Sequence, residues 1–248
     1  MPENLIRFYG RRKGKPIRNI RAELMDKLLP KLAVKLPKRG KINFQFAIKP
    51  KELYLEVGFG GGEHLAELAK RYPDIGFIGA EPFLNGVASL LAHLSGTHEK
   101  GVGEIALASD RSDNVRIWPD DVRQLFDKLP DGIFKGIYVL YPDPWPKKRH
   151  AERRFIGPDN IPELWRLLSP TGKVYLATDV IQYAEWADEK MAESQIFKQI
   201  HKDTSKAPKD WVPTRYELKG IAGGRHPIYM SFQKKEKKLK KGLTKQKK

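Results

Sequence analysis

A chain of 248 residues with 40% hydrophobic content suffices for one sizeable core, and the absence of cysteine excludes a disulfide scaffold and a thiolate metal site. The basic N-terminus and the lack of any run of about 18 apolar residues predict neither a secretory leader nor a spanning helix, which points to a reducing cytoplasm. The net charge of +17 sits at the two ends: residues 7–41 carry 13 Lys/Arg against Glu23 and Asp26, residues 234–248 carry nine Lys against Glu236, and residues 42–233 balance 25 basic with 26 acidic groups. Such ends attract a phosphate backbone by counterion release, and neither shows the aromatic amphipathic stripe of a membrane-surface helix.

In chain order, "IRFYGRRKGKPIRNIRAELM" mixes arginines with Phe8 and Tyr9, and its glycines and Pro16 predict an extended arm, placed within residues 1–41. Leu53, Leu55 and Val57 predict a first strand, followed by the glycines of "GFGGGEH" and a helix over "EHLAELAKRY" with Leu65, Leu68 and Ala69 at helical spacing. "DIGFIGAE" predicts a second strand ending at Glu81, with a helix over about 83–94. Residues 95–113 break the pattern with glycine and charge and read as a short strand or a long surface loop. "NVRIWPDD" predicts a third strand, "VRQLFDKL" a helix, and "IFKGIYVL" a fourth strand running into "YPDPWPKKRH". "NIPELWRLLSP" predicts a helix ended by Ser169 and Pro170, "GKVYLATD" a fifth strand, and "QYAEWADEKMAE" a helix. "FKQIHKD" and "HPIYMSFQKK" close the main domain, 42–233, as an antiparallel pair, and a Lys-rich tail occupies 234–248. The alternation predicts an α/β fold with a mostly parallel, seven-stranded sheet covered by helices on both faces.

In such a sheet ligands bind at the carboxyl ends of the strands. Every one of the first five predicted strands delivers an acid there: Glu56, Glu81, Asp120 and Asp121, Asp143 and Asp179. Gly58, Gly60, Gly61 and Gly62 let a ligand approach the backbone. Glu63 stands where a dinucleotide fingerprint wants glycine, and no Lys-Ser/Thr pair completes a phosphate loop. Glu81 lies 23 residues beyond Gly58, close to the spacing of about 20 at which an acid holds a ribose diol. A glycine loop alone reads as a tight turn packing helix on strand. With Glu81 and Asp121 beside it, the loop instead suits a cationic nucleoside without phosphates, and S-adenosylmethionine has that character.

"YPDPWPKKRH" leaves the fourth strand beside that ligand, stiffened by Pro142, Pro144 and Pro146. Asp143 is expected at the reaction centre, and Trp145 either stacks on a base or caps the core. Lys147, Lys148, Arg149, His150, Arg153 and Arg154 make a basic run suited to phosphates. No second histidine lies at ligand spacing near His150, so no metal site is expected.

"LEVGFGGGEHL", "IGAEP", "NVRIWPDDV", "LYPDPWPKKRHAERRF", "YLATDVIQYAEW" and "TRYE" together resemble, in order and spacing over roughly residues 50–220, the bacterial tRNA (guanine-N7-)-methyltransferase family, of the Rossmann-like class I S-adenosylmethionine-dependent type. The resemblance implies methyl transfer to N7 of a guanine in the tRNA variable loop, usually position 46. It implies cofactor contacts from Glu56, Glu81, Asp121 and Asp143, with Asp143 also catalytic, beside the glycine loop whose Gly58 and Gly60 the residue pattern already gives to the cofactor. It implies substrate contacts from Lys147, Asp179, Thr214, Arg215, Tyr216 and Glu217. The chain departs from the pattern in reading GAEP, in the segment 95–113 and in its basic tail. No obligate protein partner is expected, and the enzyme is read as a monomer or homodimer. The alternatives are an RNA methyltransferase with another target atom, for which "PDPW" lacks the D/N-P-P-Y/F pattern of exocyclic-amine enzymes, and a non-catalytic basic RNA-binding protein, which gains nothing from acids in its cleft.

Overall fold

A computed structural model describes residues 8–97, 113–204 and 206–236. The Lys-rich end from residue 237 and most of the irregular segment expected over 95–113 lie outside the described residues.

Seven strands form one sheet: β1 Leu53–Val57, β2 Gly76–Ala80, β3 Val115–Trp118, β4 Phe134–Leu140, β5 Leu168–Thr178, β6 Phe197–Asp203 and β7 Ile228–Lys234, in the order β3-β2-β1-β4-β5-β7-β6. The first five are parallel, and β7 runs antiparallel between β5 and β6. The parallel strands read as apolar runs because both faces are covered: β2 is buried at all five positions. The register pairs Val57 with Ala80 and Val139, Ala80 with Trp118, and Leu140 with Ala177, so the carboxyl ends of β1 to β5 share one edge. Strand order reverses between β1 and β4, which opens a crevice at that edge.

On one face, α5 (Ile161–Leu167) and α6 (Ile181–Glu193) enclose a core with Phe134, Ile137, Leu176 and Phe232. On the other, α1 (Ile20–Lys27), α2 (Leu29–Leu32), α3 (Glu63–Arg71) and α4 (Leu84–Leu94) bury Leu65, Leu68, Phe77 and Ile117. α7 (Arg215–Ala222) precedes β7. Among the described residues no helix is long and apolar enough to cross a membrane.

Three local expectations are corrected. The extended arm stops at Asn19, because Leu24, Leu28 and Leu32 recur every four residues and form a stripe 0%, 5% and 5% exposed, packed with the α3–α4 core. Pro16 and the glycines break regular structure only before that stripe begins. The segment Val122–Lys128 is a 3₁₀-helix. Helix α5 ends at Leu167, and Ser169 and Pro170 lie inside β5: between the pairs Phe134–Leu168 and Gly136–Lys173 the fifth strand bulges, which is where a strand tolerates proline.

Candidate active site

A cleft of about 580 Å³ opens at the carboxyl ends of β1 to β4, lined by Gly58, Glu81, Asp121, Asp143 and Trp145 and walled on one side by Phe8–Arg11 of the arm. The glycine loop and Glu81 form one unit. Gly60 takes φ +56°, which turns its N–H to donate to Glu81 Oε2 at 2.7 Å, while Phe83 N–H donates to Oε1 at 2.8 Å. Gly86 at the start of α4 touches the same loop, and a Cβ there would sit 2.2 Å from the Gly60 carbonyl oxygen. Burial drives the Glu81 carboxyl up to about 7, against the two backbone donors and with help from the charges of Asp143 and Glu56. Glu81 therefore has its orientation fixed and one lone-pair direction on each oxygen left for hydroxyl donors.

The other strand-end acids divide by environment. Asp121 caps the 3₁₀-helix by accepting from Arg123 N–H at 3.0 Å, and pairs with the Arg123 side chain at 2.6 Å. Asp120 is held in a two-pronged pair by Arg12, at 2.6 and 2.8 Å, which ties the arm to the end of β3. Asp143 is exposed at the cleft wall. Glu56 points away: it is 2% exposed, bonded to His64 Nδ1 at 2.8 Å, and absent from the cleft lining. In this structure the buried His64, itself 2% exposed, holds the Glu56 carboxylate, whose charge still acts on Glu81.

The loop after β4 is held in a strained form. Tyr141 (φ +50°) and Trp145 (φ +40°) lie in the left-handed region, each at a cost of about 1–3 kcal/mol that the surroundings must offset. Arg154 supplies part of that offset by donating to the Pro144 and Trp145 carbonyls at 3.0 and 3.2 Å. Arg153 lies over the rings of Tyr9 (4.2 Å) and Trp145 (5.1 Å), so an arm tyrosine, an arginine and the loop tryptophan stack at the cleft mouth. The phosphate role expected of the whole basic run thus narrows, since Arg153 and Arg154 serve the loop; Lys147, Lys148 and Arg149 remain exposed.

The remaining substrate candidates gather beside Tyr141. Asp179, its side chain 4% exposed, pairs with Arg225 at 2.7 Å. Arg225 donates to the Tyr216 hydroxyl at 2.8 Å and lies 4.8 Å over the Tyr216 ring, which in turn is 5.1 Å from Tyr141. Thr214 and Glu217 form a capping box at the start of α7. Glu217 is 2% exposed and also accepts from Trp211 Nε1 (3.1 Å) and the Tyr229 hydroxyl (2.6 Å). Thr214 and Glu217 therefore shape the helix start, and Arg215 and Tyr216 are the members of that run presented to solvent. The sequence reading missed Arg225, the Arg12–Asp120 pair and the His64–Glu56 pair. Each joins residues far apart in the chain or buried under the sheet, and only the arginines and aromatics of the arm signalled one of them.

A glycine loop after β1, an acid closing β2 and an acid-walled cleft beneath this strand order define a class I S-adenosylmethionine-dependent methyltransferase. The same fold appears in a 16S rRNA methyltransferase, KamB, which superposes with a TM-score of 0.53 at 14% identity over 81% of this chain and 98% of its own. The family model described as "Putative methyltransferase" matches residues 50–230. A tRNA (guanine-N(7)-)-methyltransferase of Rhodospirillum rubrum is 40% identical over 94% of this chain and 90% of its own, and that of Paramagnetospirillum magneticum 43% identical over 92% and 93%. The chain belongs to the tRNA (guanine-N(7)-)-methyltransferase family.

Proposed function

We propose that this protein transfers the methyl group of S-adenosylmethionine to N7 of a guanine in tRNA, at position 46 of the variable loop, in the cytoplasm and without an obligate protein partner. The observation that carries the reading within the family is the placement of Asp143 in the same cleft as Glu81, on a loop whose outer side is basic. The cleft fits the cofactor: its volume is that of a small-molecule site, its acids complement a cationic ligand, and Glu81 is aimed by two backbone donors. When bound, S-adenosylmethionine supplies a sulfonium-activated methyl group.

Glu81 accepts the ribose hydroxyls, and Gly58 and Gly60 allow the close approach. Asp121, its carboxylate held in place by Arg123, would also contact the cofactor. Guanine N7 has an in-plane lone pair and no proton, so no residue removes hydrogen before attack, and positioning dominates. Asp143 stabilises the positive charge that develops on the guanine ring. Tyr216, backed by Arg225, offers a face for the extruded base, and Asp179 and Arg215 border it. Lys147 and its exposed neighbours hold phosphates, which offset the few kcal/mol of unstacking.

The test is transfer of labelled methyl to unmodified tRNA with nucleoside analysis. The expected product is 7-methylguanosine, lost when the variable-loop guanine is replaced; a methylated amine or no transfer overturns the reading. Asp143→Ala is expected to abolish turnover and leave tRNA affinity within about twofold, whereas near-normal turnover removes the catalytic assignment.

A further inference from the structure

Beyond β4, the sheet face that carries α3 and α4 is met by Ala207, Trp211 and, through Glu217, the start of α7. The register there sets Tyr54, Gly136, Lys173, Gln233 and Lys198 in one cross-strand row, and Glu56, Tyr138, Tyr175, Ser231 and His201 in the next. Tyr54, Tyr138 and Tyr175 form a ladder of near-parallel rings, with centroids 6.0 and 4.8 Å apart and planes 25° and 20° apart. Two cavities lie against this face. One of about 290 Å³ is bounded by the ladder, His64 and Trp211, and one of about 720 Å³ by Lys173, His201, Ser231 and Lys206. Both are lined by Tyr175, Pro208 and Lys209, so the two adjoin across these residues as one grooved face, and none of their lining residues lines the cofactor cleft.

An aromatic ladder alone reads as packing, and scattered lysines alone as a solvated surface. Here they meet. Among the described residues Lys173, Lys206 and Lys209 have no ion-pair partner. Tyr138 is stacked on both sides, but the end ring Tyr175 lines the larger cavity, and an aromatic face there beside unpaired cations is the chemistry of an unpaired nucleotide site. The lysines come from two segments, β5 and 206–209, and so follow a length of backbone better than one terminal phosphate.

We propose that this groove is a second RNA-binding site, holding an unpaired nucleotide of the tRNA substrate away from the methylated guanine. The inference rests on tRNA being the substrate. Two contact points on one molecule raise affinity by effective concentration, so the groove acts on tRNA binding and leaves the chemical step alone.

The test compares native protein with Tyr175→Leu and with the triple variant Lys173→Glu, Lys206→Glu, Lys209→Glu. Each variant is expected to bind unmodified tRNA about tenfold more weakly, with KM for tRNA raised, kcat at saturating tRNA held and S-adenosylmethionine affinity unchanged. The triple variant should also lower the slope of log affinity against log salt by about two. Photocrosslinking of 4-thiouridine-substituted tRNA should label the peptides containing Tyr175 and Lys209. Unchanged tRNA affinity in the folded triple variant, or crosslinks that avoid both peptides, overturns the proposal. So does adenosine monophosphate perturbing the groove while tRNA leaves it untouched, which marks a free-nucleotide site. Should Tyr175→Leu fail to fold, the triple variant, which leaves the ladder intact, decides alone. If the native protein neither binds nor methylates tRNA, the failure belongs to the substrate reading and takes the groove with it.

Discussion

At the scale of single residues, Glu81 carries the clearest physical signature. A buried carboxyl pushed up to about 7 holds its proton in the folded state more tightly than in the unfolded chain. The sign follows from linkage: between the ordinary glutamate value and about 7 the native state binds more protons, so this group stabilises most below that range and its contribution is lost as pH rises through it. Ligand binding runs the other way, because only the carboxylate accepts two hydroxyls. S-adenosylmethionine affinity is therefore expected to rise between pH 6 and 8 in the native protein and to lose that rise in Glu81→Gln; a matching slope in both proteins, measured by calorimetry, removes Glu81 from the linkage. The spacing of Glu81 from the glycines was legible in the chain. Its burial, and the turning of Glu56 to His64, were not, because strand alternation assigns faces but does not say which partner waits beneath the sheet.

At the scale of elements, strands were the most legible part. All seven appear at the apolar runs that predict them, from the four residues of β3 to the eleven of β5, and β5 begins earlier than its predicted run. The errors fell where tertiary contact outranks local signal. α1 and α2 exist because their leucines meet α4, and "SPTG" became a strand bulge because β4 was there to pair with. The capping box of α7 shows the same mixture: "TRYE" carries a cap signature, and Trp211 and Tyr229 turn its glutamate into a buried anchor. Thr214→Ala is expected to cost about 1 kcal/mol, a fall in Tm of about 2–4 °C, with a larger loss in KM for tRNA than in kcat because Arg215 and Tyr216 ride on that helix. Thr214→Ser should restore both. Equal loss in the two variants sinks the capping explanation.

At the scale of the whole molecule, charge and chemistry are segregated. The near-neutral body carries an acidic cleft for a cationic ligand, and the excess positive charge lies in the ends. One arm end is pinned at the cleft through Arg12–Asp120 and the Tyr9–Arg153–Trp145 stack, so part of its charge is spent on the protein itself. Residues 237–248 carry a further seven lysines, whereas Lys234 and Lys235 donate to the Leu168 and Gln195 carbonyls. Removing residues 237–248 is expected to weaken tRNA binding several-fold near 0.1 M salt, flatten its salt dependence, and leave kcat at saturating tRNA unchanged. An identical salt slope in the truncated protein would show that the tail only solubilises.

The insertion of β7 between β5 and β6 also fixes when this molecule becomes complete. Among the described residues β6 pairs with β7 alone, and β7 is the last strand. During synthesis the first five strands can assemble as they emerge, but residues 197–203, though packed on α6, have no strand partner until 228–234 arrive and slide in between. Until then β5 presents an open edge, a hazard for chain-to-chain pairing. A chain ending between residues 204 and 228 holds the cleft-lining strands β1 to β4 but leaves the edge of β5 unpaired.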